Sequence, residues 1–168
     1  MRGLGLLLAA LAASLALAAC SASVTVYKPL NADQLTGHTV LMMSATRQAS
    51  VPEDALEATL AAIEAGLAHS PDVGPVTTRA QFQQAAADDF RIRDDYRTYS
   101  DLASNVGMVD QEAAWRLATF AHVQLLASVD VYQVTCPVCP GGDALVLVGQ
   151  LVDAAQGDLV WRATLRMD

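Results

Sequence analysis

The first twenty residues most constrain what this chain can fold into, because they have the pattern of a segment that is cleaved from the mature protein. One positive charge, Arg2, precedes the uncharged run from Leu4 to Ala19. The run has the length of a signal-peptide core and is too short for a membrane-spanning helix. Its last residues before Cys20, Ala18 and Ala19, are small, as a signal cleavage site requires. We therefore expect residues 1–19 to be a cleaved secretory signal.

The end of this run, Leu17-Ala18-Ala19-Cys20, resembles the lipobox of bacterial lipoproteins. The resemblance implies cleavage before Cys20, a diacylglycerol on its thiol and an acyl chain on its new amino group. In the enterobacterial sorting pattern, a residue other than Asp after the cysteine, here Ser21, favours the outer membrane. We expect a lipid bilayer as a partner through acylated Cys20, with the protein facing the periplasm. An ordinary signal with an incidental Cys20 is the alternative.

The length and net charge of the chain after signal removal limit its fold and its possible partners. Removal of residues 1–19 leaves 149 residues, which suits a single domain with a real hydrophobic core. We divide this part into a lipidated cysteine and tether, 20–38, and one α/β domain, 39–168. The formal charge of −8 for the whole chain becomes −9, since Arg2 is lost and no acid is. This balance argues against nucleic acid and against a broad anionic membrane surface, because both reward clustered Lys and Arg.

Periodicity from Thr39 onwards predicts a mixed α/β fold. A buried strand at Thr39–Met43 precedes an amphipathic helix, for which Ser50 offers an N-cap and whose apolar residues recur every three or four positions. A short strand then leads to Thr78 and Gln81, which form a capping-box pattern before a second helix that runs to about residue 90. Asp110 caps a third helix. The tether holds only the alternation Val24-Thr25-Val26, which permits one edge strand.

The C-terminal third of the chain is β-structure. Apolar and polar residues alternate over 123–131 and 159–167, and 144–152 is almost wholly apolar, as in a central strand. The predicted order is β-α-β-α-α-β-β-β. We expect a mixed sheet of four to five strands, with helices packed mainly on one face and a C-terminal β-meander.

The last two strands carry a second resemblance. The segment from Leu151 to Arg162 is similar to the "strand, Asp, turn, Gly, strand, Trp" hairpin of a superfamily of envelope lipoproteins. This superfamily includes the curli secretion channel lipoprotein and the lipoprotein B that activates a penicillin-binding protein. The similarity extends over roughly 39–166, although Ala121-His122 departs from the usual small-Asp pair. It implies a non-enzymatic accessory or assembly factor that has no cofactor and binds another envelope protein. A ring-forming structural homo-oligomer is an alternative.

The strongest chemical motif in the mature chain is Cys136-Pro137-Val138-Cys139. In an exported protein it predicts a local disulfide that closes a hairpin loop. A periplasmic thiol-disulfide enzyme is the alternative, but its first cysteine would stand at a helix N-terminus, and Pro140-Gly141-Gly142 does not resemble a helix start. A zinc site needs about four ligands, and the histidines show no spacing relation to this pair, so we expect no metal.

A partner-binding surface is predicted around Tyr96, Arg97 and Tyr99. Tyr and Arg are favoured at interaction hot spots, and residues at this spacing share a helix face. The alternative is that the tyrosines belong to the core. Among the other candidates, the pairs Asp88-Asp89 and Asp94-Asp95 are interpreted as a solvated, ion-paired face and His122 as a structural residue.

Overall fold

The computed structural model describes residues 22–30, 34–43, 51–106, 109–138 and 142–167. In this part of the chain six strands form one sheet. The strands are β1 Ala22–Lys28, β2 Val40–Met42, β3 Val76–Thr77, β4 Leu125–Thr135, β5 Asp143–Asp153 and β6 Asp158–Met167. The helices are α1 Glu53–Ala68, α2 Arg79–Ala85, α3 Phe90–Val106 and α4 Gln111–Ala121.

The strand order across the sheet is β1-β6-β5-β4-β2-β3. Strands β4, β5, β6 and β1 pair in antiparallel fashion, whereas β2 is parallel to both of its neighbours. The mixed α/β class and the C-terminal meander are confirmed. The sheet has six strands, not four to five. Part of the segment assigned to the tether supplies the edge strand β1, in which Val24 pairs with Leu165 and Val26 with Ala163.

Two of the predicted helix starts are found where the capping residues placed them. The Thr78 hydroxyl accepts a hydrogen bond from the Gln81 amide, and the Gln81 side chain accepts one from the Thr78 amide, which completes the capping box. The Asp110 carboxylate accepts a hydrogen bond from the Ala113 amide at 3.0 Å. Helix α1 has Pro52 as its N-cap without a side-chain bond, and Ser50 lies outside the described residues.

Alternation along β2 divides the core between the two faces of the sheet. Val40 and Met42 pack in one cluster with Leu56 and Leu60 of α1. The residue between them, Leu41, belongs to the other cluster, to which α2, α3 and α4 contribute. Three helices therefore cover one face and α1 covers the other, in agreement with helices mainly on one face. The fourth helix, α3, was not predicted.

An ion-pair cluster joins α1 to the start of α2. Arg79, the first residue of α2, binds Glu57 at 3.1 Å and Glu64 at 3.2 Å. Both acids lie on one face of α1 because they are seven residues apart. Burial acts to lower the pKa of Arg79, but the hydrogen bonds to Glu57 and Glu64 raise it overall. The hydrogen bond from Arg79 lowers the pKa of Glu57. The cluster thus pairs the partly buried charge of Arg79 and links α1 to the start of α2, next to the edge strand β3.

The hairpin that carries the family resemblance is formed as its sequence predicts. The Asp153 carboxylate accepts hydrogen bonds from the Ala155 and Gln156 amides, and Gly157 donates its amide to the Asp153 carbonyl at 2.8 Å. Gly157 has a φ of +72°, a conformation that glycine adopts without steric cost. Asp and Gly in this segment are therefore explained by the geometry of the turn.

Candidate partner-binding surface

The candidate site lies on α3, a helix of 17 residues that begins at Phe90. The Asp89 carboxylate accepts a hydrogen bond from the Ile92 amide at 3.1 Å, as an N-cap does. Ile92, Tyr99 and Ala103 follow one another on the buried face of α3. The charged segment between the second predicted helix, which was expected to end near residue 90, and Asp110 is thus itself an amphipathic helix.

Tyr99 belongs to the core, so the predicted contact surface is wrong at this residue. It is 1% exposed and lies in the cluster with Leu41, Phe82 and Leu117. Burial raises the pKa of the Tyr99 hydroxyl. A side chain with so little accessible area has none to offer a partner. The alternative that the sequence left open, a core tyrosine, is correct here.

Tyr96 is only half-buried, but its ring also faces inward. It stacks on Phe82 with the ring centroids 5.1 Å apart and the planes 24° from parallel. Phe82 in turn meets Phe120 of α4 edge-on at 5.8 Å. Such pairs stabilise a core beyond the area they bury. Tyr96 therefore joins α3 to α2 and α4, and it does not share an exposed face with Arg97.

Arg97 is the one member of the predicted surface that is well exposed. Its side chain is 74% accessible and donates a hydrogen bond to the Asp94 carboxylate at 2.6 Å. Phe90, seven residues or about two helical turns earlier, is 72% exposed. Phe90, Asp94 and Arg97 line a shallow cavity of about 230 Å³ together with Arg93. We call these four residues the α3 surface: Phe90, Arg93, Asp94 and Arg97.

The spacing of the α3 surface explains how it forms. Positions 90, 93, 94 and 97 are related by three, four and seven residues, so they share one side of the helix. This three- and four-residue spacing can be read from the sequence, but it identifies a helix face only if Asp89 is recognised as the N-cap of α3. Phe90, Arg93 and Asp94 were therefore missed.

A partly exposed ion pair joins α3 to α4. Arg116 of α4 donates two hydrogen bonds to the Asp95 carboxylate, each at 2.7 Å, and a further one to Glu112. The hydrogen bond to Asp95 is the main cause that raises the pKa of Arg116. Adjacent acids of the segment thus have separate partners, Arg97 for Asp94 and Arg116 for Asp95. They do not form a carboxylate pair for acid-base chemistry.

Cys136 lies just after β4, is 4% exposed and accepts a hydrogen bond at its Sγ from Arg166 at 3.2 Å. It follows a strand, and among the described residues next to it no helix begins, as a thioredoxin-like redox pair would require. Cys139, its predicted partner, lies outside the described residues. The disulfide therefore stays a prediction.

The remaining candidates are placed as follows. His122 ends α4 with a φ of 55°, and its backbone carbonyl accepts a hydrogen bond from Thr39. Cys20 and Ser21 lie outside the described residues. In the described ranges, no three His, Cys, Asp or Glu side chains gather closely enough to hold a metal ion. No helix among the described residues is both long and apolar enough to cross a membrane.

Comparison with known proteins finds similarity in structure and none in sequence. No protein-family model and no curated protein matches the chain. The C-terminal domain of LpoB from Escherichia coli is 15% identical, with 79% of this chain and 83% of that chain covered at a TM-score of 0.50. Lipoprotein GNA1162 from Neisseria meningitidis is 13% identical, with 78% and 81% covered and a TM-score of 0.47. The PelC dodecamer from Paraburkholderia phytofirmans is 14% identical, with 88% and 83% covered and a TM-score of 0.47.

The fold of the Escherichia coli LpoB domain agrees with the resemblance seen in the C-terminal hairpin. LpoB is the penicillin-binding-protein activator lipoprotein of the superfamily that the hairpin indicated. At 15% identity the similarity concerns the fold alone. The described part of the chain therefore has the fold of the LpoB C-terminal domain.

Proposed function

We propose that this protein is anchored in the outer membrane through acylated Cys20, faces the periplasm and binds another cell-envelope protein as an accessory or assembly factor. The observation that carries the proposal is the α3 surface, where an aromatic ring and two guanidinium groups are exposed together on a rigid helix. The signal sequence and the LpoB-like fold support the cellular setting.

The chemistry of the α3 surface suits protein recognition. Phe90 offers a large apolar area to a partner, and Arg93 and Arg97 offer planar donors that bind carboxylates or stack on aromatic rings. Asp94 already orients one of these guanidinium groups. Because the chain as a whole is acidic, a local pair of arginines also gives the surface a distinct charge. A partner with an exposed aromatic residue beside a carboxylate would match it.

The α3 surface is also pre-organised. The opposite side of α3 is held in the core by Ile92 and Tyr99, and Asp95 is bound to Arg116 of α4. Less conformational entropy is lost on binding when the contact residues are already fixed on a packed helix. A binding role without catalysis is consistent with this arrangement. The thiol-disulfide alternative is weakened by the burial of Cys136, because a redox enzyme needs an accessible thiolate.

The test is affinity capture from detergent-solubilised envelopes with the full-length, lipidated protein. We compare the parent with Phe90→Ala and with Arg97→Ala, and we use Arg91→Ala as the matched control. Arg91 is an exposed arginine of the same helix that lies outside the α3 surface. The two site variants should recover less partner protein while keeping the parent melting temperature. Undiminished recovery with both of them would refute the proposed surface.

Membrane anchoring is tested separately. Cys20→Ala removes the only thiol that the lipobox resemblance identifies for acylation. The precursor of this variant should stay unprocessed by the lipoprotein peptidase and should not carry lipid, as measured by mass spectrometry. If the variant were cleaved and fractionated with the outer membrane like the parent, the lipoprotein assignment would be wrong.

A further inference from the structure

One end of the sheet lies next to the expected membrane anchor. Ala22, the first residue of β1, pairs with Met167 of β6, and Met167 pairs with Leu145 of β5. These three residues form one row across the sheet. Cys20 precedes Ala22 by two residues, so its Cα lies at most about 7 Å from that of Ala22 whatever its conformation. An acyl chain on Cys20 therefore brings the bilayer to this end of the sheet.

The β4–β5 connection projects beyond that row at the same end. Thr135 and Asp143 form the last pair of the two strands, two residues past Leu145, which is roughly 7 Å farther along the strand direction. Val138 follows in the connection and is 93% exposed, more than any other large hydrophobic side chain among the described residues. The preceding Pro137 is also exposed. Pro137 and Val138, which we call the tip, are thus exposed just past the last strand pair, on the side of the anchor.

We propose that the tip, Pro137 and Val138, is a second membrane contact, with Val138 inserted among the lipid headgroups. The proposal rests on the lipidation of Cys20 that the proposed function includes. An apolar side chain at the headgroup boundary is buried by only about 5–10 Å of penetration, which a tip so close to the anchor can reach. The contact fixes how the domain stands on the bilayer, with the sheet upright.

The contact is apolar, not electrostatic. The described charged residues closest to the tip in sequence and pairing are Asp143, which accepts a hydrogen bond from Gln133, and Arg166, which binds Cys136. Pro52 at the start of α1 lines a cavity with Asp143, so the next residue, Glu53, adds a negative charge at the same end of the sheet. These charges give no net attraction to anionic lipid, in keeping with the acidic composition of the chain. A phosphatidylcholine bilayer, which has no net charge, is therefore a sufficient partner for the test.

The opposite end of the sheet supplies the control. The β5–β6 turn lies at the far end of β5, an 11-residue strand, and so stands roughly 35 Å from the tip. Gln156 in that turn is exposed, as Val138 is. A tryptophan at either position should be tolerated, because neither side chain packs in the core. Only the one at 138 should touch lipid.

The experiment uses full-length lipidated protein in phosphatidylcholine vesicles with and without bromine on the acyl chains. Val138→Trp should show a blue-shifted emission, a loss of intensity in brominated vesicles and protection from aqueous iodide. Gln156→Trp should show none of these. The signal of the native residues Trp115 and Trp161 is subtracted with the unsubstituted protein.

Two outcomes contradict different parts of the account. If the protein floats with the vesicles but Val138→Trp is no better quenched by bromine than Gln156→Trp, the second membrane contact is wrong and the anchor stands. If the purified protein carries no lipid and does not float, the anchoring at Cys20 is wrong, and the membrane contact is overturned with it.

Discussion

Replacement of Tyr99 by alanine should destabilise the protein strongly, although the sequence pattern suggested a surface residue. Tyr99 is 1% exposed and packs with residues from β2, α2 and α4. Truncation of a buried aromatic side chain to alanine typically costs about 3–5 kcal/mol. For a chain of this size, about 1 kcal/mol lowers the melting temperature by about 2–4 °C, so we expect a loss of roughly 6–20 °C.

Circular dichroism of the detergent-purified protein during heating measures this effect. Tyr99→Phe keeps the ring and should lose much less than Tyr99→Ala. Phe90→Ala removes an aromatic ring of the same helix from an exposed position, so its stability should change by no more than about 0.5 kcal/mol. A Tyr99→Ala protein with the parent melting temperature and reduced partner recovery would refute the core placement and restore Tyr99 to a contact surface.

Two further predictions concern the ion-pair cluster and the cysteines. In chemical denaturation, Glu64→Gln should cost more than Glu57→Gln, because the Glu64 side chain is 13% exposed and that of Glu57 is 58% exposed. Arg79 lowers the pKa of Glu57, so the contribution of Glu57 should be complete above its unfolded pKa of about 4.3 and fade as the pH falls below it. Alkylation without reductant, followed by mass measurement, should find neither Cys136 nor Cys139 free in the exported protein. The double serine variant should still fold, with a loss below the usual ~2–4 kcal/mol because the loop is short; labelling of both thiols would contradict the disulfide.

The strands and caps could be predicted from the sequence because each depends on local chemistry. Alternation in 159–167 and the apolar run 144–152 identify β6 and β5 without knowledge of their neighbours. The capping box of Thr78 and Gln81 is likewise a local signal, and the structure contains both of its hydrogen bonds. The turn at Gly157 follows from backbone sterics alone.

The α3 surface could not be predicted because it depends on which side of a charged segment the rest of the protein covers. Tyr96 and Tyr99 look alike in the sequence, and only the packing of α2 and α4 turns both rings inward. Phe90 looks like a core residue, but it begins the helix on the uncovered side. The edge strand β1 was hard to predict for a similar reason. Its seven residues are all exposed, so it forms a strand only because it pairs with β6.

Site-specific photocrosslinking in living cells tests the central claim most directly. A photoreactive phenylalanine analogue is placed at Phe90 in the α3 surface or, as the control, at Ala61, an exposed position of α1 on the other face of the sheet. The account predicts a discrete adduct with another envelope protein at position 90 and none at position 61. Absence of an adduct at position 90, or the same adducts at both positions, would contradict it, and adducts between two copies of this chain would favour the ring-forming alternative.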